Sequence, residues 1–541
     1  MEREERNSYV AALLGVILGV MIVVLFNSIT DGRRKKVNYL DWRKLNVVLE
    51  QVQKNYVDTI DVKSMTDAAI VAALKKLDPH TIYLPPAELE DSETDLAGNF
   101  DGIGIQFNVP NDTAVVIEVI PGGPAEKSGM LQGDRLLKID DVNIAGVKFP
   151  QDSMVRRMKG PSGTKVTVTV GRGSEEIPFT ITRGKIPVHC VDASFMVDDT
   201  TGYIRLSKFS RTTYQEVLLA SMDLLGQNMK HLVLDLRDNT GGYLDQALSL
   251  ADMFLEKNDE IVYLMGRNRK KEDYKASGKG IMKDIAISVI INESSASSSE
   301  IFAGAIQDND RGMIIGRRSF GKGLVQEPIY FTDGSGIRVT VARFYTPSGR
   351  CIQKPYSDDY SYDIYRRYED GEMFASDSIK IDSTAAFKTV GGRTVYGGGG
   401  IIPDIFVPMD TTKATKFYIA CNRKATSMRF ASAMFDKYKG RLADIDDYAE
   451  LDRFLDTIDL PSQFLTYAAS KDGIRPETSA EWQESAEYMM PQIRALVARY
   501  SKLGDNAFYK MYIGTDREIK AAMAAPSRPS LPAEPYVFSS R

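Results

Sequence analysis

Three short apolar runs limit what this chain can fold into more than any other feature. Residues 231–236 (HLVLDL), 284–291 (DIAISVII) and 313–315 (MII) are almost unbroken stretches of apolar residues. A half-exposed strand alternates apolar with polar side chains. A run without alternation is the pattern of a strand covered on both faces, as in a parallel sheet flanked by helices. A helical pattern follows the first run over residues 244–254. Another follows the second over 300–308, with Ile301, Phe302, Ala305 and Ile306 on one face. A strand at 202–206 and a helix at 213–225 come before them. This repeated order of strand, turn and helix predicts an α/β core over residues 186–410.

The turns after the three runs carry the chemistry. The first run ends in Arg237-Asp238-Asn239-Thr240-Gly241-Gly242. A glycine turn that opens a helix leaves backbone amides free to bind an anion, and lets the backbone approach a ligand closely. The second run ends in the serine cluster 294–299, which puts Ser297 at or just before a helix N-terminus. The free amides and the helix dipole there stabilise a developing negative charge. The third run leads into Ser319-Phe320-Gly321-Lys322-Gly323, a lysine set among apolar and glycine residues rather than in a charge run. A serine hydroxyl becomes a nucleophile when a base takes its proton. Lysine can be that base only when burial or neighbouring charge lowers its pKa from about 10.4. Alone, each signal is weak: serine clusters usually cap helices, and a lysine between glycines is usually a turn residue.

At 541 residues the chain exceeds one hydrophobic core. Residues 9–26 are apolar and uncharged, and as a helix they would be about 27 Å long, enough to cross a bilayer. We read them as an uncleaved anchor between a flank (1–8) and a linker (27–39). Residues 40–97 form a helical region, with helices at 40–57, where Leu45, Val48, Leu49, Val52 and Tyr56 share a face, and at 65–77. Residues 98–185 change character to glycine turns between β-branched runs at 103–107, 114–120, 135–139, 165–170 and 177–182, the pattern of a small β-barrel. Residues 355–395, rich in Asp, Glu and Tyr and poorly periodic, are expected to be a partly ordered surface insertion. Residues 411–523 read as a helical C-terminal domain and 524–541 as a disordered Pro- and Ser-rich tail.

Some chemistries are excluded. A net charge of −5 leaves no footprint for nucleic acid. The three cysteines (Cys190, Cys351, Cys421) and three histidines (His80, His189, His231) show no metal-ligand spacing and no His motif with a partner, so neither a metal nor a cofactor is expected.

Two resemblances tie these features together. Gly102-Ile103-Gly104-Ile105, then VIPGGPAEKSGMLQGDRLLKIDD, then GPSGTKVTVTV resembles a PDZ domain in order and extent. The resemblance implies that the loop Gly102, Ile103, Gly104 and Ile105 offers backbone amides to a peptide's terminal carboxylate while the peptide adds to a sheet edge. Ser295-Ala296-Ser297-Ser298-Ser299-Glu300-Ile301-Phe302-Ala303-Gly304-Ala305-Ile306-Gln307-Asp308, followed by Ser319-Phe320-Gly321-Lys322-Gly323-Leu324-Val325-Gln326, resembles the C-terminal processing peptidases, tail-specific serine proteases with a Ser–Lys dyad. Leu77-Asp78-Pro79-His80, DLRDNTGG, Ala342–Arg350 and Gly398–Asp404 occur in that family's order too.

The fold implied is an α/β protease core of crotonase- or ClpP-like βαβ layers, with an inserted PDZ barrel, an N-terminal helical element and a C-terminal helical extension. The roles implied are Ser297 as nucleophile, Lys322 as general base and Gln326, about a helical turn further on, orienting the lysine amine. The backbone amides of Ser298 and of Gly241 or Gly242 would form the oxyanion hole. Glu300 and Asp308 read as structural. Expected partners are protein or peptide substrates with exposed C-termini, the membrane through the anchor, and a second copy as a homodimer. Arg33, Arg34, Lys35 and Lys36 after the apolar stretch favour a cytoplasmic body by the positive-inside rule. The resemblance favours export, and we expect a single-pass protein of the cytoplasmic membrane with its catalytic body outside the cytoplasm. The competing readings are an inactive PDZ scaffold that binds protein tails, and a binder of small apolar molecules on the same core.

Overall fold

The computed structural model describes residues 39–356, 360–410, 415–528 and 536–537. The anchor expected at 9–26 lies outside these residues, and no described helix is long and apolar enough to cross a membrane. The chain divides into two compact units, Met1–Lys76 and Leu77–Arg541. In the first, the helices Tyr39–Asn55 and Val62–Leu74 form. The Asp61 carboxylate caps the second by accepting the Ser64 amide at 3.1 Å, which satisfies one of the free N–H groups of the first turn.

The second unit is built on a sheet with strand order Val191–Met196, Thr201–Leu206, His231–Asp235, Ala286–Ile291, Met313–Gly316, Ile405–Phe406, Tyr536–Val537. The first pair is antiparallel and every later pair is parallel. Side chains alternate between the two faces of a strand, and here both faces are covered. Ile204, Leu232, Leu234, Ile287, Val289 and Ile291 pack against residues of the helices Thr213–Gly226, Leu244–Asp252 and Ser298–Asp308. Tyr203, Val233, Ile290 and Ile315 pack against Ile513, Ile519, Ala521 and Ala522 of the C-terminal extension. This explains the unbroken apolar runs: Leu232, Val233 and Leu234 are all fully buried. A second sheet holds Ile82–Leu84, Gly336–Tyr345, Glu260–Met265 and Glu272–Lys275, with Leu324–Tyr330 joined to Gly336–Tyr345 as an antiparallel hairpin.

The barrel is an antiparallel sheet in the order Ile105–Asn108, Ala114–Val119, Arg135–Ile139, Lys165–Arg172, Glu175–Thr182, and the helix Gln151–Met158 buries Met154 and Met158 in its core. It leaves and rejoins the chain through a two-stranded stem, Asn99–Gly102 against Gly184–Pro187.

The C-terminal helices have their own core, with Phe417, Phe430, Phe435 and Phe464, and Ile117 of the barrel is part of it. Gly133 of the barrel fits against Phe435, since a methyl group there would lie 2.7 Å from the ring. Arg135 pairs with Asp436 at 2.5 Å. The extension therefore braces the barrel as well as covering the core sheet. Within the tail expected to be disordered, Tyr536–Val537 instead pairs in parallel with Ile405–Phe406.

Candidate functional site

Ser297 is the N-cap of the helix Ser298–Asp308, with φ 56° and ψ −113°. A positive φ at a non-glycine residue costs on the order of 1–3 kcal/mol and needs surrounding contacts to hold it. These are present. The Ala296 amide donates to Asn239 O at 3.0 Å, and the amides of Glu300 and Ile301 donate to Ser297 O at 2.9 Å. Hydrogen bonds also set Ser297 apart from four nearby serines. The hydroxyl of Ser295 donates to Leu236 O (2.7 Å), that of Ser298 to Gly242 O (2.9 Å), that of Ser299 to Asn239 O (2.8 Å) and that of Ser319 to Glu300 Oε1 (2.5 Å). Among the described residues the Ser297 hydroxyl, like that of Ser294, donates no such bond.

Glu300 joins the serine turn to the lysine loop. Its side chain is fully buried. Oε2 accepts both the Ser297 amide and the Lys322 amide at 2.8 Å, and Oε1 accepts the Ser319 hydroxyl at 2.5 Å and the Gly321 amide at 2.7 Å. The two amide nitrogens that share Oε2 are thus no more than twice 2.8 Å apart. Burial pushes the Glu300 pKa above its ordinary value, and these hydrogen bonds oppose the shift. The Phe320 amide adds another tie by donating to Ser295 O at 3.0 Å.

The Lys322 pKa is lowered, first by burial and then by the charge of Arg338, while Glu300 and Asp78 pull it back up. No hydrogen bond joins the Lys322 ammonium to the Ser297 hydroxyl among the described residues. Gln326 lies on the strand Leu324–Tyr330 rather than a helical turn beyond the lysine, and its amide donates to the His80 carbonyl. No hydrogen bond links it to the Lys322 amine among the described residues. Its hydrogen-bonded contact with the site runs through His80.

His80 was not legible as a site residue. Its turn is held by Asp78, whose carboxylate accepts the amides of His80 and Thr81 at 2.9 Å. Its Nε2 lies 2.7 Å from the Tyr360 hydroxyl. Burial, then the charge of Lys322, brings its pKa down to about 4 against the pull of Asp78, so the ring is neutral at neutral pH. Tyr360 belongs to the stretch expected to be a partly ordered surface insertion, part of which packs into the site. Tyr360 is buried, and its ring and that of Phe320 hold the Lys354 ammonium at 4.3 and 3.8 Å. Arg367 donates to the carbonyls of Ser319 (3.1 Å) and Arg318 (2.6 Å), and Glu372 pairs with both arginines. The insertion buttresses the lysine loop.

The glycine turn lies against the serine. A methyl group at Gly241, where φ is +97°, would sit 2.7 Å from Ala296 O and 2.8 Å from Ser297 Cβ. The Gly241 amide donates to Asn239 Oδ1 at 2.9 Å. Among the described residues the amides of Gly242 and Ser298 have no acceptor. Ser297, Ser298, Lys322, Gly241 and Gly242 are thus brought together. Gly102 ends the stem, Ile103 and Gly104 follow it, and Ile105 opens the strand Ile105–Asn108 of the barrel. Ile103 O and Gly104 O accept the amides of Ala125 (2.8 Å) and Ile120 (3.0 Å), and Gly104 has φ +82°. The three cysteines are unpaired. No cluster of ligating side chains suited to a metal occurs among the described residues.

Residues 200–362 match the model of peptidase family S41, and residues 102–182 that of a PDZ domain. A carboxy-terminal-processing protease of Bartonella bacilliformis is 36% identical over 346 residues, covering 63% of this chain and 78% of that protein. A probable CtpA-like serine protease of Staphylococcus epidermidis is 32% identical over 351 residues, covering 64% of this chain and 70% of that protein. Among solved structures, the photosystem II D1 C-terminal processing protease is 31% identical over 58% of this chain and 84% of its own, with a TM-score of 0.35. With these relatives, the α/β core and the PDZ barrel define a serine-type protease. The chain belongs to peptidase family S41.

Proposed function

We propose that this protease is an endopeptidase that recognises substrate C-termini through its PDZ domain and cleaves through an acyl-enzyme formed by a Ser297–Lys322 dyad. The observation that carries the proposal is the Glu300 carboxylate, on which the amides of both residues converge. In its neutral form the Lys322 amine takes the Ser297 proton as Oγ attacks the scissile carbonyl. The negative charge on the carbonyl oxygen falls between the amides of Ser298 and Gly242, the Gly241 amide being engaged by Asn239. Lys322 returns the proton to the leaving amine, and then activates the water that hydrolyses the ester. Gln326 holds the His80 turn beside the lysine. The hydrogen bond from serine to lysine closes when a polypeptide docks, since such contacts tighten in the Michaelis complex. Every residue invoked comes from one chain.

The test is cleavage of a protein with a free apolar C-terminus by wild type, Ser297→Ala and Lys322→Ala. Each variant should lose roughly 10⁴-fold or more in rate, and cleavage that survives both substitutions sinks the mechanism. The missing Ser297–Lys322 hydrogen bond favours a second reading, an inactive scaffold that binds tails. Tail binding without cleavage by wild type would select it. In the leading reading residues 9–26 tether the body to the cytoplasmic membrane from its outer side, supported by their sequence alone. Release of the chain from membranes by alkaline washing would rule out the tether.

A further inference from the structure

The PDZ strand Ile105–Asn108 pairs on one side only, with Ala114–Val119, so its other edge is open among the described residues. The loop Gly102–Gly104 precedes its first residue. A chain that places its C-terminus in that loop and lies along this edge must run antiparallel to the strand. The residue paired with Asn108 is then about three positions upstream of the terminus, some 10 Å away at roughly 3.4 Å per residue. The chain leaves the barrel at that point, and a cavity of about 440 Å³ opens there. Its walls come from two domains. The barrel contributes Asn108 and Gln151, the first residue of the helix Gln151–Met158. The C-terminal helical extension contributes Lys424, Met428, Arg429 and Asp472.

The charges on the helical side are unequal. The Asp472 carboxylate is taken up within that domain: Arg429 Nη2 bonds both its oxygens at 2.5 Å, and the Thr426 hydroxyl donates at 2.7 Å. Arg429 therefore cancels Asp472. The exposed Lys424 ammonium donates only to the Asp472 backbone carbonyl, at 2.9 Å, and makes no ion pair among the described residues. Arg429 Nε is buried without an acceptor. A net positive charge thus faces the cavity beside the exposed, adaptable Met428.

We infer that the helical extension completes the peptide groove of the PDZ domain and selects polypeptide substrates with an acidic side chain about four or five residues upstream of an apolar C-terminus, where Lys424 meets it. The inference rests on Gly102–Ile105 being the seat of the C-terminus, and its test separates the two claims.

Full-length Ser297→Ala, held in mild detergent, is titrated by fluorescence anisotropy with three labelled peptides that share an apolar terminus. One is four residues long. The others are eight residues long, with glutamate or lysine at the fifth and sixth positions from the end. The eight-residue glutamate peptide should bind about tenfold more tightly than the four-residue one, and the lysine peptide should lose that gain. Adding Lys424→Glu should reverse the preference between the long peptides while the four-residue peptide binds as before. Equal affinity for all three peptides overturns the inference and leaves the PDZ seat standing. A four-residue peptide weakened as much as the long ones by Lys424→Glu overturns it too, because the substitution then acts on the fold. If none of the peptides binds, the seat itself is wrong and the inference falls with it.

Discussion

Glu300→Gln tests the proposed dyad most directly. The carboxylate receives four donors: the amides of Ser297, Gly321 and Lys322 and the Ser319 hydroxyl. Glutamine keeps one oxygen and turns an NH₂ toward the donors that shared the other. At least two hydrogen bonds to a charged acceptor are lost, each worth about 1.5–3 kcal/mol, so folding stability should fall by roughly 3–6 kcal/mol. Misplacing the serine turn against the lysine loop by about 1 Å should lower kcat/KM by about 10²-fold. The pH profile carries a separate signature. A lysine base works when deprotonated, so activity climbs as pH rises through its folded pKa. The Glu300 charge raises that pKa. Without it the Lys322 pKa falls further, and the acid limb of kcat/KM should move to lower pH even as the plateau drops. The assay is kcat/KM against pH on a tail-bearing protein, with urea denaturation alongside. A plateau within about threefold of wild type, or an acid limb displaced to higher pH, would refute the reasoning.

Gly241→Ala forces a methyl group to within 2.8 Å of Ser297 Cβ at a positive φ. It should reduce cleavage by about 10²-fold or more, with a smaller effect on the thermal midpoint than on the rate. Arg350→Leu leaves the buried Asp308, now bonded at 2.7 Å, without its cation, and should cost about 3–5 kcal/mol by chemical denaturation. Tyr360→Phe removes the hydroxyl beside His80 but keeps the ring over Lys354. It should lower kcat several-fold while KM holds, and an unchanged kcat would show that the insertion plays no part in the chemistry. Arg135→Ala breaks an ion pair whose side chains are about 40% exposed, and should shift stability by less than about 1 kcal/mol.

The sequence was most readable where burial is uniform. The strand His231–Asp235 and the helix Ser298–Asp308 follow from apolar runs, because their faces are covered by other apolar elements. The docking of the insertion was not readable because it runs through Arg367 and Glu372, buried charges that pair with each other and with Arg318 and leave no hydrophobic period. His80 stayed hidden because its partner Tyr360 lies 280 positions away in the chain. The contact of Gln326 with His80 stayed hidden because it depends on the hairpin that begins at Leu324. The choice between Gly241 and Gly242 depends on one hydrogen bond that the Gly241 amide donates to the Asn239 side chain, which leaves no trace in a pattern of residue types.

The two-stranded stem changes how the barrel should be regarded. Asn99–Gly102 and Gly184–Pro187 run antiparallel, with Gly102 opposite Gly184. The whole PDZ domain is therefore the oversized loop of a single β-hairpin, and paired residues about 5 Å apart can be closed by a two-residue turn. A protease shortened at that stem would keep both chain ends where the core needs them. The surface it would lay bare is on the helical extension, around Phe435 and the place now filled by Ile117. Connectivity makes the barrel a detachable module, and the extension is what keeps it in place.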